Sequence, residues 1–145
     1  MDIDPRLNRI RDCLYRVSVN AIIVVDHKIL LVKEHDHEWW GLPGGGIEHT
    51  ETISQALSRE LSEELGVDGS TIQSDTDILF ATTGEINNGV PIANLFCRAR
   101  LPLHNATNTE HVIEFRWFTS AEIPKLHLSP TGNEIKARLI ELIEE

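Results

Sequence analysis

Apolar positions along this chain fall into short alternating runs and a few helically spaced stretches, and that pattern predicts its elements. Residues 16–25 (RVSVNAIIVV) alternate and then turn wholly apolar, as a strand buried on both faces at its centre does. Asp26-His27-Lys28 is a tight polar turn into Ile29-Leu30-Leu31-Val32, which predicts a hairpin. Residues 77–86 (DILFATTGEI) and 90–101 (VPIANLFCRARL) read as a second strand pair, joined at Asn88-Gly89, a type I′ turn signal. Gly84 suggests a bulge or a close approach in the first of them, and Pro91 puts the start of the second at a sheet edge. Residues 112–119 (VIEFRWFT) alternate again, then residues 120–124 form a helical turn; residues 69–74 and 102–111 read as loops.

Helical spacing dominates elsewhere. At about 100° per residue, Ile53, Leu57, Leu61 and Leu65 share one face, with Ala56 beside them. Thr50 or Thr52 can cap this helix, Glu51 suits its first turn, and Gly66 stands where a left-handed stop is expected. Thr131 or Asn133 can open a last helix whose apolar face is Ile135, Leu139, Leu142 and Ile143. Leu7, Ile10 and Leu14 mark a short amphipathic helix or extended lead-in within residues 1–15, which packs on the domain or on a second subunit. Strands grouped around two main helices predict an α/β sandwich with a mixed β-sheet, and 145 residues without repeats or linkers predict a single domain over residues 1–145.

Composition narrows the function classes. An apolar fraction of 41% with 25% charged residues is ordinary globular usage. Thirteen basic against 23 acidic side chains give a net charge of −10, which argues against bulk nucleic-acid or anionic-membrane binding. A nucleotide substrate stays open, because metal ions bridge anionic phosphates to anionic side chains. Cys13 and Cys97 lack paired-ligand spacing, so neither a zinc site nor a disulfide framework is expected. No apolar run reaches the ~18 residues of a membrane span. The first residues carry early acids and no apolar signal core, so a cytoplasmic location is the expectation.

The chemistry concentrates in residues 45–67, GGIEHTETISQALSRELSEELGV. Glu60 and Glu64, spaced i,i+4, fall at the edge of or inside the helix's apolar arc, with Glu63 on its flank. A bare carboxylate there costs several kcal/mol or turns neutral; a bound hard cation removes the conflict, because crowded carboxylates become oxygen ligands. The bland alternative is a solvated acidic helix with Arg59 as a surface partner. It loses to the spacing: Gly45, five residues, Glu51, seven residues, Arg59-Glu60-Leu61, Ser62, Glu63-Glu64, Leu65, Gly66-Val67. A chance match is on the order of one in a hundred million or rarer at average residue usage. The stretch resembles the Nudix box at every position.

That resemblance implies a Nudix-type α/β/α sandwich and metal-dependent hydrolysis of a phosphoanhydride in a nucleoside diphosphate linked to some group X. By position, Glu60, Glu63 and Glu64 resemble the family's metal-binding and base carboxylates, Gly45 the glycine whose carbonyl adds a ligand, and Arg59 and Glu51 the pair that braces loop and helix. Mg²⁺ is the implied cofactor, with Mn²⁺ as the other candidate. Family members differ in which carboxylate is the general base; Glu63 is selected here, since Glu60 and Glu64 form the tighter ligand pair, and Arg59 joins it in the catalytic set. Arg16, Trp39, Glu110 and Glu114 are the residues expected on the substrate side. Glu110 and Glu114 each read singly as solvated, and Trp39 either lines the cleft or packs outward. Trp40 reads as structural, and His35 with His37 as a polar loop ahead of a transition-metal site. A proline about sixteen residues past the box marks relatives that hydrolyse ADP-ribose, and a nearby tyrosine those that hydrolyse diadenosine polyphosphates. Thr82 and Thr83 stand at the first position and the sole tyrosine is Tyr15, which leans toward a nucleoside triphosphate or small nucleotide derivative. A nucleotide-like small molecule is thus the expected partner, with a homodimer open. A non-catalytic ligand-sensing domain and an acidic interaction protein are the competing classes.

Overall fold

The computed structural model describes residues 14–86, 89–102 and 109–145. The expected N-terminal lead-in (except Leu14 and Tyr15), Cys13, Asn88 and the loop residues Asn105 and Asn108 lie outside the described residues. In chain order the elements are β1 (Arg16–Ile22), β2 (Val24–Val25), β3 (Lys28–Glu34), β4 (Gly44–Gly46), α1 (Ile53–Leu65), β5 (Gln73–Ile86), β6 (Val90–Arg100), β7 (Val112–Thr119), α2 (Pro130–Glu134) and α3 (Lys136–Glu144). Short 3₁₀ turns fill Gly69–Thr71 and Ile123–Lys125. None of these helices is long and apolar enough to cross a membrane.

Two sheets form the middle layer, in the orders β4-β1-β6-β5 and β2-β3-β7. The β1–β6 pair is parallel and the other pairs are antiparallel, so the β-layer is mixed, as expected. Because side chains alternate along a strand, each inner strand feeds two cores. Val19 and Ala21 of β1 and Leu30 and Val32 of β3 pack with Leu57, Leu61 and Leu65 of α1. Ile22 of β1 and Ile29 and Leu31 of β3 pack with Phe96, Phe118 and the α3 residues Leu139, Leu142 and Ile143. The result is a helix–sheet–helix sandwich.

Several local expectations are corrected. Residues 16–25 are not one strand: β1 and β2 belong to different sheets, and the chain passes between them at buried Ile23. Asp26 and His27 both take positive φ, 50° and 58°, which is the turn that returns β2 into β3. The glycine loop ahead of the helix is partly a strand, since Gly44–Gly46 pairs with β1. β5 begins at Gln73, earlier than residue 77, and its irregularity lies between Ser74 and Phe80; Gly84 pairs regularly with Ile92. β6 is an interior strand, yet Pro91 sits one residue outside its ladder with β1, where no donor is needed. The last helix starts before Thr131: Ser129 caps α2 by accepting from the Gly132 amide, and the chain breaks at Ile135 before α3.

Candidate active site

The helix α1 is held at both ends by its own sequence. Thr52 is the N-cap, its hydroxyl accepting from the Gln55 amide at 3.1 Å while Gln55 Oε1 accepts from the Thr52 amide at 2.9 Å. Gly66 ends it at φ 67°, its amide donating to Ser62 at 3.0 Å. Glu51 therefore lies ahead of the helix, outside its first turn, and serves Arg59. Arg59 Nε and Nη2 donate to the two Glu51 oxygens at 2.8 and 2.9 Å, and Nη2 also donates to the Gly46 carbonyl at 2.9 Å. Its Nη1 donates to Glu60 at 2.8 Å and stands 3.7 Å from Glu63. One guanidinium thus ties loop, strand β4 and two helix carboxylates together. The fork holds Glu51 down at about 2, and Arg59 is in turn held more firmly protonated, chiefly by Glu51.

Glu64 is the outlier. It is 4% exposed; Oε1 accepts from the Gly44 amide at 3.1 Å, and Oε2 is buried with no partner among the described residues. Burial pushes its carboxyl well above the ordinary range, against the Gly44 hydrogen bond, with Glu34, Glu60 and Glu63 adding repulsion. Burial also raises Glu60, partly offset by Arg59. The glycines bring the backbone close: a Cβ on Gly45 would stand 2.5 Å from the Glu60 carboxyl, and one on Gly46 would stand 2.8 Å from Arg16 Nη2. Gly45 is thereby packed against Glu60.

These groups line a cleft of about 350 Å³ with Glu34, His35, Asp36, Arg16 and Glu110. Of the residues expected from the sequence, Gly45, Glu60, Glu63, Glu64, Arg16 and Glu110 meet here, and Arg59 braces them from behind. Glu114 does not. Phe115 and Trp117 of β7 face the α1 core, so alternation turns Glu114 to the opposite face, where it pairs with Arg116. Trp39 lines a second cavity of about 220 Å³, with Asn20, Glu34, His37, Ser129 and Thr131. Glu34 and Gly44 line both, so the two are neighbours. His35 and His37 part company: His35 lines the cleft, and His37 stacks on Trp39 with ring centroids 4.4 Å apart. Trp40 is buried edge-on against Phe118, as a structural residue should be.

Sequence reasoning passed over Glu34, Asp36 and Asn20. Glu34 and Asp36 flank His35, which also lines the cleft, a faint local signal. A β-bulge between Lys33 and Glu34 re-aims that strand end, and no pattern marks it.

An all-oxygen carboxylate set suits a hard divalent cation, and the buried, unpartnered Glu64 oxygen is an atom such an ion would satisfy. Among the described residues, however, no three His, Cys, Asp or Glu side chains already converge on one point. Glu60 and Glu63 lean on Arg59 instead.

A model of the NUDIX domain matches residues 14–143. An ADP-ribose pyrophosphatase of Methanocaldococcus jannaschii is 44% identical over 54 residues, 35% of this chain and 32% of that protein. An RNA pyrophosphohydrolase of Legionella pneumophila is 38% identical over 69 residues, 47% of this chain and 37% of that protein. The chain thus spans about a third of the length of the curated relatives it matches. The solution structure of the E. coli ORF135 protein superposes with a TM-score of 0.70 at 26% identity, covering 88% of this chain and 90% of that one.

Proposed function

Because the chain belongs to the NUDIX domain family, we propose that it is a divalent-cation-dependent hydrolase. The bond cleaved is a phosphoanhydride in a nucleoside diphosphate linked to a further group, the substrate being a nucleoside triphosphate or another small nucleotide derivative. One observation carries this reading: a carboxylate 4% exposed, with one oxygen unpartnered, opens on a cleft beside two further carboxylates of the same helix. The matched relatives named for pyrophosphate-bond hydrolysis support it.

Glu60, Glu63 and Glu64 are the residues that would hold the cation, Mg²⁺ or Mn²⁺, with Gly45 at the cleft floor. When bound, such an ion neutralises phosphate oxygens and acidifies a water. Glu63 is the most accessible of the three, with 47% of its side chain exposed, and so is best placed to take a proton from a water at the cleft mouth. Arg59 is the positioning residue that holds Glu60 and the loop. Arg16, the only arginine lining the cleft among the described residues, meets the phosphates, and the second cavity beside it takes the rest of the nucleotide.

The test is release of phosphate or pyrophosphate from a nucleotide panel with and without Mg²⁺, for the native chain and for Glu63→Gln and Glu64→Gln. Metal-dependent release by the native chain, lost by at least about a hundredfold in both variants, is expected. Metal-dependent binding without turnover of any nucleotide would favour a ligand-sensing domain instead.

A further inference from the structure

One residue of the second cavity, Asn20, belongs to a polar network that neither the fold nor the acidic cleft explains. Ser18 of β1 and Asn94 of β6 are 8% and 5% exposed and lie opposite each other in register. Ser18 Oγ donates to Asn94 Oδ1 at 2.6 Å, and Asn94 Nδ2 donates to Thr82 Oγ1 at 3.3 Å. Asn20 Nδ2 donates both to Ser18 Oγ at 3.1 Å and to the Leu95 carbonyl at 3.3 Å. The same sheet face is apolar next door, at Ile22 and Phe96. A run of amides and hydroxyls in such a place destabilises the core unless each is paired. Here Ser18 Oγ, Asn94 Oδ1 and Asn20 Nδ2 are paired among the described residues, and one atom of a residue that lines the cavity is not.

That exception is the Asn20 oxygen. The Leu95 carbonyl can only accept, so it fixes which end of the amide is nitrogen. Both Asn20 donors are therefore committed to the network, and its Oδ1 is left without a partner among the described residues, on a residue that lines the cavity. The Glu34 carboxylate lines the same cavity and also only accepts when ionised. One locked acceptor, with the Glu34 carboxylate as a second on a wall that carries Trp39, suits a flat ring whose edge offers N–H groups side by side.

We propose that Asn20 is a specificity-determining residue of the second cavity. Its side-chain oxygen, locked by the Ser18–Asn94 network, selects a heterocycle with adjacent N–H donors, as on the 2-amino-6-oxo edge of a guanine-type ring. Hydrolysis as proposed above matters here only for where the phosphates lie. A ring that loses one donor leaves an acceptor unpaired, and one that turns an acceptor toward Asn20 meets repulsion.

Calorimetric titration of the full chain with GMP, IMP and AMP, without added metal, tests this directly. GMP should bind about tenfold more tightly than IMP, which lacks the 2-amino group, and AMP should bind more weakly still. In Asn20→Leu the GMP and IMP affinities should converge. Ser18→Ala, which leaves Asn20 oriented by Leu95 alone, should narrow the ratio partway and serves if the leucine variant does not fold. Equal GMP and IMP affinities in the native chain, no GMP binding at all, or an unchanged ratio in folded Asn20→Leu would each overturn the proposal. The hydrolase reading fails separately: no nucleotide releases phosphate, while the GMP-to-IMP preference persists.

Discussion

At Gly44 and Gly45 the same added methyl meets two different obstacles. A Cβ on Gly44 would lie 2.1 Å from the Val19 backbone oxygen, at a φ of 146° that side chains rarely adopt. Backbone cannot step aside, so Gly44→Ala should destabilise by about 3 kcal/mol or more. A Cβ on Gly45 meets only the end of the Glu60 side chain, which can swing away. Gly45→Ala should then unfold in urea within about 1 kcal/mol of the native chain yet lose most of its divalent-cation stabilisation. Equal losses of stability in the two would contradict this reading of the loop. Thr50, a β-branched residue at φ 73°, is strained; Thr50→Gly should add about 1 kcal/mol or less of stability after the added chain entropy, read as a higher melting temperature. Glu64 supplies a pH dependence. Its folded value lies above the ordinary 4.5, so its neutral form stabilises the fold fully below that value, and the contribution is lost as pH rises through the folded value. Melts in chelator should show the native chain losing stability relative to Glu64→Gln as pH rises above the carboxylate range. Parallel curves would remove the argument from burial.

At the scale of elements, α1 was legible because its apolar face, cap and stop are all local. Thr52→Ala removes the cap and should lower stability by about 1 kcal/mol in urea unfolding. Arg59 is different in kind. It joins α1 to the Glu51 loop and to the Gly46 carbonyl of β4, so Arg59→Ala leaves a carboxylate and a carbonyl without their donor. The loss should exceed the roughly 1 kcal/mol ceiling of an exposed ion pair and should lower turnover as Glu60 is released. A variant that melts and turns over like the native chain would return Arg59 to the surface. Strand β4 was not legible as a strand, since three glycines carry no side-chain period; only the neighbouring β1 backbone makes it one.

Taken as a whole, the molecule spends stability to gather carboxylates at one cleft while its net charge is −10. A cation that binds only the folded state should recover that stability by mass action, rising with the logarithm of free metal once the site saturates. Mg²⁺ or Mn²⁺ at millimolar levels should therefore raise the melting temperature where ionic-strength-matched NaCl does not. Glu60→Gln/Glu64→Gln should abolish the metal-specific part and melt higher than the native chain in chelator. Coincident melts in MgCl₂ and NaCl would mean that the protein alone holds no site.

The sequence by itself determined the alternating strands, the two principal helices and the carboxylate-bearing face of α1. Each of these follows from a period of two or of 3.6, or from a cap within a few residues, and such signals are local. Glu60, Glu63 and Glu64 were legible for the same reason, as one turn of one helix. Tertiary structure decided what depends on residues far apart in the chain. It split residues 16–25 between two sheets, turned Glu114 away from the cleft by the phase of β7, and brought Glu34 to it by a bulge. It also tied Asn20, which lines the second cavity, to Ser18 and to the Leu95 carbonyl, 75 residues away, leaving its amide oxygen without a partner among the described residues. Strand register and sheet membership are set by partners across the sheet, and no window along the chain contains both partners.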